Sequence, residues 1–123
     1  MEWTIAIHKE EEYAEIITSG IADIPGSLQM SKAIAEAMGG NGIKKALIDQ
    51  RNIDAVSGGL GEVYHRPKQL EKMGVVYGLS LAEVIKPEHK EFFGFLETVF
   101  VNRGFRFAIF DDREAAINWL LKK

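Results

Sequence analysis

Cysteine is missing from this 123-residue chain, which excludes a disulfide framework, a thiolate metal site and a thiol nucleophile together. Long apolar runs are missing too. No stretch approaches the roughly 18 uncharged apolar residues of a membrane span, and MEWTIAIHKEEEY at the start has no basic region ahead of an apolar one, so neither stable membrane insertion nor a secretory leader is expected. A soluble cytoplasmic protein is the resulting expectation. Basic clustering is equally scarce: the net charge is −3 with both signs interspersed, and the densest group, His65, Arg66, Lys68 and Lys72, is broken by Glu71. A nucleic-acid partner is therefore not expected, because such proteins gather their basic residues on one face.

Nucleotide and metal motifs are lacking as well. SGGLG at residues 57–61 is not GxGxxG, and no Gly-Lys-Ser or Gly-Lys-Thr closes a phosphate loop. His8, His65 and His89 lie in separate segments without HxH or HExxH spacing, so a metal site is not expected and no cofactor is called for. What remains is a chain long enough to bury roughly two thirds of its unfolded surface around one core.

That core is legible in the spacing of apolar residues. Trp3, Ile5 and Ile7 alternate with Thr4, Ala6 and His8 as in a half-buried strand, Lys9 to Glu12 supply a charged turn, and Tyr13 to Thr18 complete a hairpin. Asp23 or Ser27 can cap the helix that follows, which runs to about Met38 and stops at Gly39 and Gly40. Ala46, Leu47 and Ile48 form a continuously apolar strand, as expected in the middle of a parallel sheet. A second helical region, Leu60 to Met73, contains Pro67, which either kinks it or delays its start to Arg66, leaving residues 50–65 as a long loop. The apolar run Val75 to Ile85 contains the next strand.

Pro87 suits the first turn of a third helix, whose stripe is Phe92, Leu96, Val99, Phe100 and Arg103, ending at Gly104 in a left-handed turn. Phe105, Phe107 and Ile109 alternate as a strand, and Asp111 with Glu114 resembles a capping box before Ala116, Ile117, Leu120 and Leu121. The order β-β-α-β-α-β-α-β-α predicts a single α/β domain over residues 1–123, with a mixed, mostly parallel sheet of about five strands, four helices and an N-terminal hairpin.

Three groups of residues are candidates for function. Asp49 and Arg51 follow an apolar strand, where ligands bind in open α/β sheets; the simpler reading is an ion pair. Ser57, with Gly58, Gly59, Leu60 and Gly61, forms a strand-to-helix turn in which the serine is either an N-cap or part of a loop that binds an anion or carries a phosphate. A Ser57, His65 and Asp49 catalytic set lacks any GxSxG elbow, so no enzyme is expected. All seven phenylalanines fall between Phe92 and Phe110. Phe93 and Phe95 point away from the stripe of the third helix and form an apolar ligand or dimer patch if the sheet leaves them uncovered.

The segment GIKKALIDQRNIDAVSGGLGEVYHRPK resembles the central motif of the STAS superfamily, the fold of anti-sigma-factor antagonists, in which a strand leads into Asp-Ser-Ser-Gly-Leu-Gly. Gly59, Leu60 and Gly61 match Gly-Leu-Gly, and Ser57 falls on the serine that a partner kinase phosphorylates in that family. Val56 stands where the family keeps an acid, and Gly58 where it keeps a second hydroxyl residue. ITSGIAD is similar to the family's second strand and its approach to the first helix. FLETVFVNRGFRFAIFDDREAAINWL looks like a bacterial branch labelled SpoIIAA-like or STAS/SEC14-domain. The resemblance implies a non-enzymatic regulatory or scaffold domain acting through a protein partner, such as a kinase or anti-sigma-type regulator, with Ser57 as its switch. Its SEC14 side implies, alternatively, a lipid or small apolar ligand held in a cavity of several hundred cubic ångströms.

Overall fold

The computed structural model describes residues 1–57, 65, 66, 68 and 78–122. Two strands, β1 (Glu2–His8) and β2 (Tyr13–Ala22), make the predicted antiparallel hairpin, with Trp3 opposite Thr18 and Ile5 opposite Ile16. Glu12 turns the chain between them with a positive φ of 60°. Three further strands, β3 (Lys45–Val56), β4 (Ser80–Val84) and β5 (Arg106–Phe110), extend the sheet in the order β1-β2-β3-β4-β5, each parallel to the strand before it. The mixed five-stranded sheet predicted from the sequence is therefore present.

β3 departs most from expectation. Its apolar centre is the predicted one, but the strand continues through Gln50 to Val56, so residues 50–56 are not a loop. They pair with the end of β2, Ser19 beside Asn52 and Ala22 beside Val56, through a register irregular near Thr18 and Gly20. Polar residues such as Arg51, Asn52 and Asp54 hide this extension from a search for apolar runs, because they lie on its exposed positions.

Among the described residues there are three α-helices rather than four: α1 (Ile24–Gly40), α2 (Lys90–Asn102) and α3 (Arg113–Leu121). The helix predicted over Leu60 to Met73 falls mostly outside the described residues, as does Pro67; His65, Arg66 and Lys68 within it have helical backbone. α1 begins where predicted, with the Asp23 carboxylate accepting the Gly26 N–H at 2.7 Å. A Cβ at Gly26 would lie 2.6 Å from that carboxylate oxygen, so a residue without a side chain is needed there for the cap to close. Pro87 opens a single 3₁₀ turn, Pro87–His89, before α2, and Gly104 just beyond α2 takes the left-handed φ of 91°. At α3 the cap is Asp112, which accepts the Glu114 and Ala115 N–H groups, and not Asp111.

Helices α1 and α2 cover one face of the sheet, burying Met30, Ile34, Met38, Phe93, Leu96 and Phe100 against Ile16, Ile48, Leu81 and Phe107. α3 covers β3 to β5 on the other face, with Ala116 and Leu120 against Leu47, Ala82 and Val84. On that second face Arg113 at the start of α3 grips Glu15 of β2 through Nε at 3.0 Å and Nη2 at 2.9 Å. His8 adds a contact of 3.0 Å to the same carboxylate. The Arg113 hydrogen bonds, against the upward pull of burial, hold the Glu15 carboxyl below its usual range. Arg106 of β5 lies 3.8 Å over the Trp119 ring, tying the end of α3 to the sheet.

Two substitutions test the placement of the last cap: Asp112→Ala is expected to lower stability by about 1 kcal/mol, whereas Asp111→Ala stays within about 0.5 kcal/mol of the parent. Urea denaturation of the two variants decides between them, and equal losses would return the cap to Asp111.

Candidate functional site

Side chains on β3 alternate between the two faces, and this alternation separates two polar groups that neighbour each other in sequence. Asp49 faces the α3 side. Both of its oxygens are held by Arg51, Oδ1 from Nε at 3.0 Å and Oδ2 from Nη2 at 2.7 Å, and the Arg51 backbone N–H donates to Oδ1 at 3.1 Å. Burial draws the Asp49 carboxyl up, but these hydrogen bonds and the Arg51 charge outweigh it and leave the group below its usual range. The pair sits within β3, not at its end, and Arg51 remains 45% exposed.

Ser57 is exposed immediately after β3, and its backbone N–H donates to the Ala22 carbonyl at 2.8 Å, closing the β2–β3 ladder. Gly58, Gly59, Leu60 and Gly61 lie outside the described residues, and the N-cap and anion-loop readings of Ser57 lie there with them. On β2, Ile21 opposite Ala55 near this end of β3 is 52% exposed, and Ile17 opposite Asp49 is 41% exposed.

Gln50 faces the opposite side of the sheet, and there the structure assembles a group that spacing alone did not single out. The Thr18 hydroxyl donates to Gln50 Oε1 at 2.7 Å, and Gln50 Nε2 donates to Glu83 Oε1 at 2.9 Å. Three residues on three adjacent strands thus form one buried row. Burial pushes the Glu83 carboxyl up to about 7, against the Gln50 hydrogen bond and the Arg66 charge, which pull it down. The row borders a cavity of about 60 Å³ between the sheet, α1 and α2, lined also by Ser27, Ser31 and buried Arg66. A lone Glu within the apolar strand SLAEVI was the signal available in the sequence, since a charge inside a strand covered on both faces needs a partner.

Phe92, Phe93 and Phe100 of α2 line the apolar side of this cavity. Phe93 is 2% exposed and belongs to the core, Phe95 is half-buried against it, and Phe92 is half-buried as well. The buried face of α2 is therefore Phe93, Leu96, Val99 and Phe100, one residue round from the predicted stripe. The sheet covers Phe93, so the condition for an exposed patch at that residue is not met. Both sets fit helical spacing, and periodicity cannot choose where phenylalanines adjoin. A second, open cleft of about 330 Å³ lies at the carboxyl ends of β4 and β5 between Pro87, Lys90 and Asp111. Among the described residues no three His, Asp or Glu side chains gather as a metal site would require, and no helix is long and apolar enough to cross a membrane.

A carboxyl raised from 4.5 to about 7 on folding stabilises the protein fully below pH 4.5, and the contribution is lost as pH rises through 7. At about 1.4 kcal/mol for each tenfold change, the loss is about 3 kcal/mol by pH 9. Chemical denaturation across pH 4 to 9 should show this decline in the parent chain and flatten in Glu83→Gln, which keeps the side-chain shape without the charge. A parent curve with no decline above pH 6 contradicts the assignment.

No protein-family model matches the sequence, and no curated protein matches it. Solved structures do. A crystal structure of an uncharacterised protein of the DUF3478 family with a SpoIIAA-like fold, from Shewanella loihica PV-4, is 23% identical, with 96% of this chain and 93% of that one covered at a TM-score of 0.59. The anti-sigma factor antagonist SpoIIAA in its unphosphorylated form is 16% identical, with 96% of each chain covered at a TM-score of 0.54. The fold is SpoIIAA-like, that is, STAS-like, as the sequence motifs imply.

Proposed function

We propose that the chain is a non-enzymatic STAS-like regulatory domain that works through protein contacts, with the end of β3 and the adjoining edge of β2 as its contact surface and Ser57 as its switch. The observation that carries the reading is the exposure of Ser57 at the close of β3, two residues beyond Ala55, whose partner on β2 is the exposed Ile21. An apolar residue near a modifiable hydroxyl supplies both parts a switched contact requires. The side chain contributes buried area, and a phosphate on Ser57 adds roughly 1.5 to 2 negative charges to the same spot. The SpoIIAA-like fold supports the reading, because the sequence motif aligns Ser57 with the phosphorylated serine of that family and the fold similarity extends over 96% of the chain.

Arg51, half exposed on the same strand, gives the surface a positive group already committed to Asp49. Ser57 lies six residues further along the extended chain, roughly 20 Å at about 3.3 Å per residue, so a phosphate there acts on the partner and not on the Asp49–Arg51 pair. Val56 in place of the family's acid points to a kinase of different sequence preference, so the partner is defined by this surface and not by the sigma-factor pathway. The lipid-carrying alternative has less support, since the space between α2 and the sheet is about 60 Å³ among the described residues, well under the several hundred a lipid tail occupies.

The test starts with proteins recovered on the tagged chain from its own cells and the phosphorylation state of Ser57 read by mass spectrometry. With the recovered partner, Ser57→Asp is expected to weaken binding roughly tenfold, about 1.4 kcal/mol, while Ser57→Ala binds as the parent does. Recovery of no specific partner, or a Ser57→Asp variant that leaves every interaction unchanged, refutes the reading.

A further inference from the structure

β4 and β5 are parallel neighbours, yet the chain leaves their carboxyl ends in opposite directions. From β4 it passes through the Pro87–His89 turn to α2 on one face of the sheet, and from β5 it passes through Asp111 to α3 on the other. Connections that part in this way open a crevice between them, and in open α/β sheets such a crevice is where ligands bind. Here it is the cleft of about 330 Å³ lined, among the described residues, by Ile85, Pro87, Lys90, Ile109, Phe110 and Asp111. We propose that this cleft binds a free α-amino acid with an apolar side chain, its carboxylate at Lys90, its ammonium at Asp111 and its side chain against Ile85, Ile109 and Phe110.

Charge selects the ends of the ligand. Lys90 and Asp111 are the ionisable groups of the lining; both are exposed, and among the described residues neither side chain makes a hydrogen bond or an ion pair, with the other or elsewhere. Their charged neighbours are committed already, Asp112 to the cap of α3 and Arg113 to Glu15. A ligand anion would satisfy Lys90 but meet the Asp111 carboxylate, and a cation would do the reverse. A ligand with one charge of each sign on adjoining groups satisfies both, and charge-assisted hydrogen bonds are the stronger kind.

Neither residue serves the fold where it stands. Asp112 and not Asp111 caps α3, and Lys90 occupies the first turn of α2, where the helix dipole favours an acid. Size and lining set the rest of the ligand. A dry cavity of about 150 Å³ holds benzene, so about 330 Å³ has room for roughly a dozen non-hydrogen atoms, which admits leucine with about nine. Ile85 is buried and Ile109 and Phe110 are half-buried, an apolar floor with charged groups at its rim, as small-molecule sites have. Binding involves no covalent step. The cleft shares no residue with the Ser57 surface, so its failure would leave the protein-contact reading intact.

The experiment is a ¹H–¹⁵N NMR titration of the whole chain with L-leucine at neutral pH and low ionic strength. Saturable shifts centred on Ile85, Lys90, Phe110 and Asp111 are expected. Glycine, isoamylamine and isocaproate, which lack the side chain, the carboxylate and the ammonium in turn, should each bind at least roughly tenfold more weakly. Lys90→Gln and Asp111→Asn, both at exposed positions, should keep a folded spectrum and each lose at least roughly tenfold in leucine affinity. The proposal is overturned by an absence of saturable shifts with leucine, by shifts centred away from the cleft, by any of the three comparators binding as tightly as leucine, or by leucine affinity unchanged in either variant.

Discussion

The hydrogen-bonded row from Thr18 through Gln50 to Glu83 is the constraint on which the arrangement of the sheet depends. Three polar side chains on β2, β3 and β4 lie buried on the face that α1 and α2 cover, and each is tolerable there because the next one pairs with it. Strand side chains alternate, so slipping β4 by one residue against β3 would turn Glu83 toward α3 and leave Gln50 without its acceptor. An unpaired buried polar group costs about 1 to 3 kcal/mol, more for a charged one. The row thereby fixes the register that also places Ala82 and Val84 under α3.

The same alternation divides the molecule chemically. Asp49 and Arg51 form a closed, bidentate pair on the α3 side of β3, and Glu15 with Arg113 forms another between β2 and α3. These carboxylates are held low by their arginines, so they stay ionised through the neutral range. Glu83 on the opposite side is raised by burial to about 7 and is poised between its two states. One face of the sheet is thus electrostatically settled, and the other responds to small changes in proton activity or charge.

Much of this architecture was legible in the sequence. The hairpin, the apolar centre of β3, Asp23 as a cap, the left-handed Gly104 and the mixed sheet all follow from patterns with a local physical cause. The misplacements share one reason: local pattern does not report which neighbour covers a residue. β3 runs on to Val56 because β2 is long enough to pair with it, although Arg51, Asn52 and Asp54 read as loop. α2 buries Phe93 because the sheet lies on that side of a helix apolar around much of its girth. Asp112, one residue later than the capping-box spacing indicated, starts α3 because it, and not Asp111, reaches the free N–H groups. Ser57 and Asp49 were visible as candidates from their positions beside an apolar strand. Glu83 was visible only as an odd charge in SLAEVI, and its partners, 33 and 65 residues away in sequence, become neighbours only when the strands pair.

The proposed contact surface lies at an exposed strand end, where Ser57 follows β3, whereas Glu83 is an interior carboxyl that burial pushes up to about 7. The interior carboxyl is the more direct test, because it requires no partner to be known. A side-chain carboxyl titration of ¹³C-labelled protein, with the Glu83 resonance assigned by its loss in Glu83→Gln, is predicted to give a midpoint near 7. A midpoint near the ordinary glutamate value of about 4.3 would mean that Glu83 is solvated or paired otherwise, and would contradict the buried row.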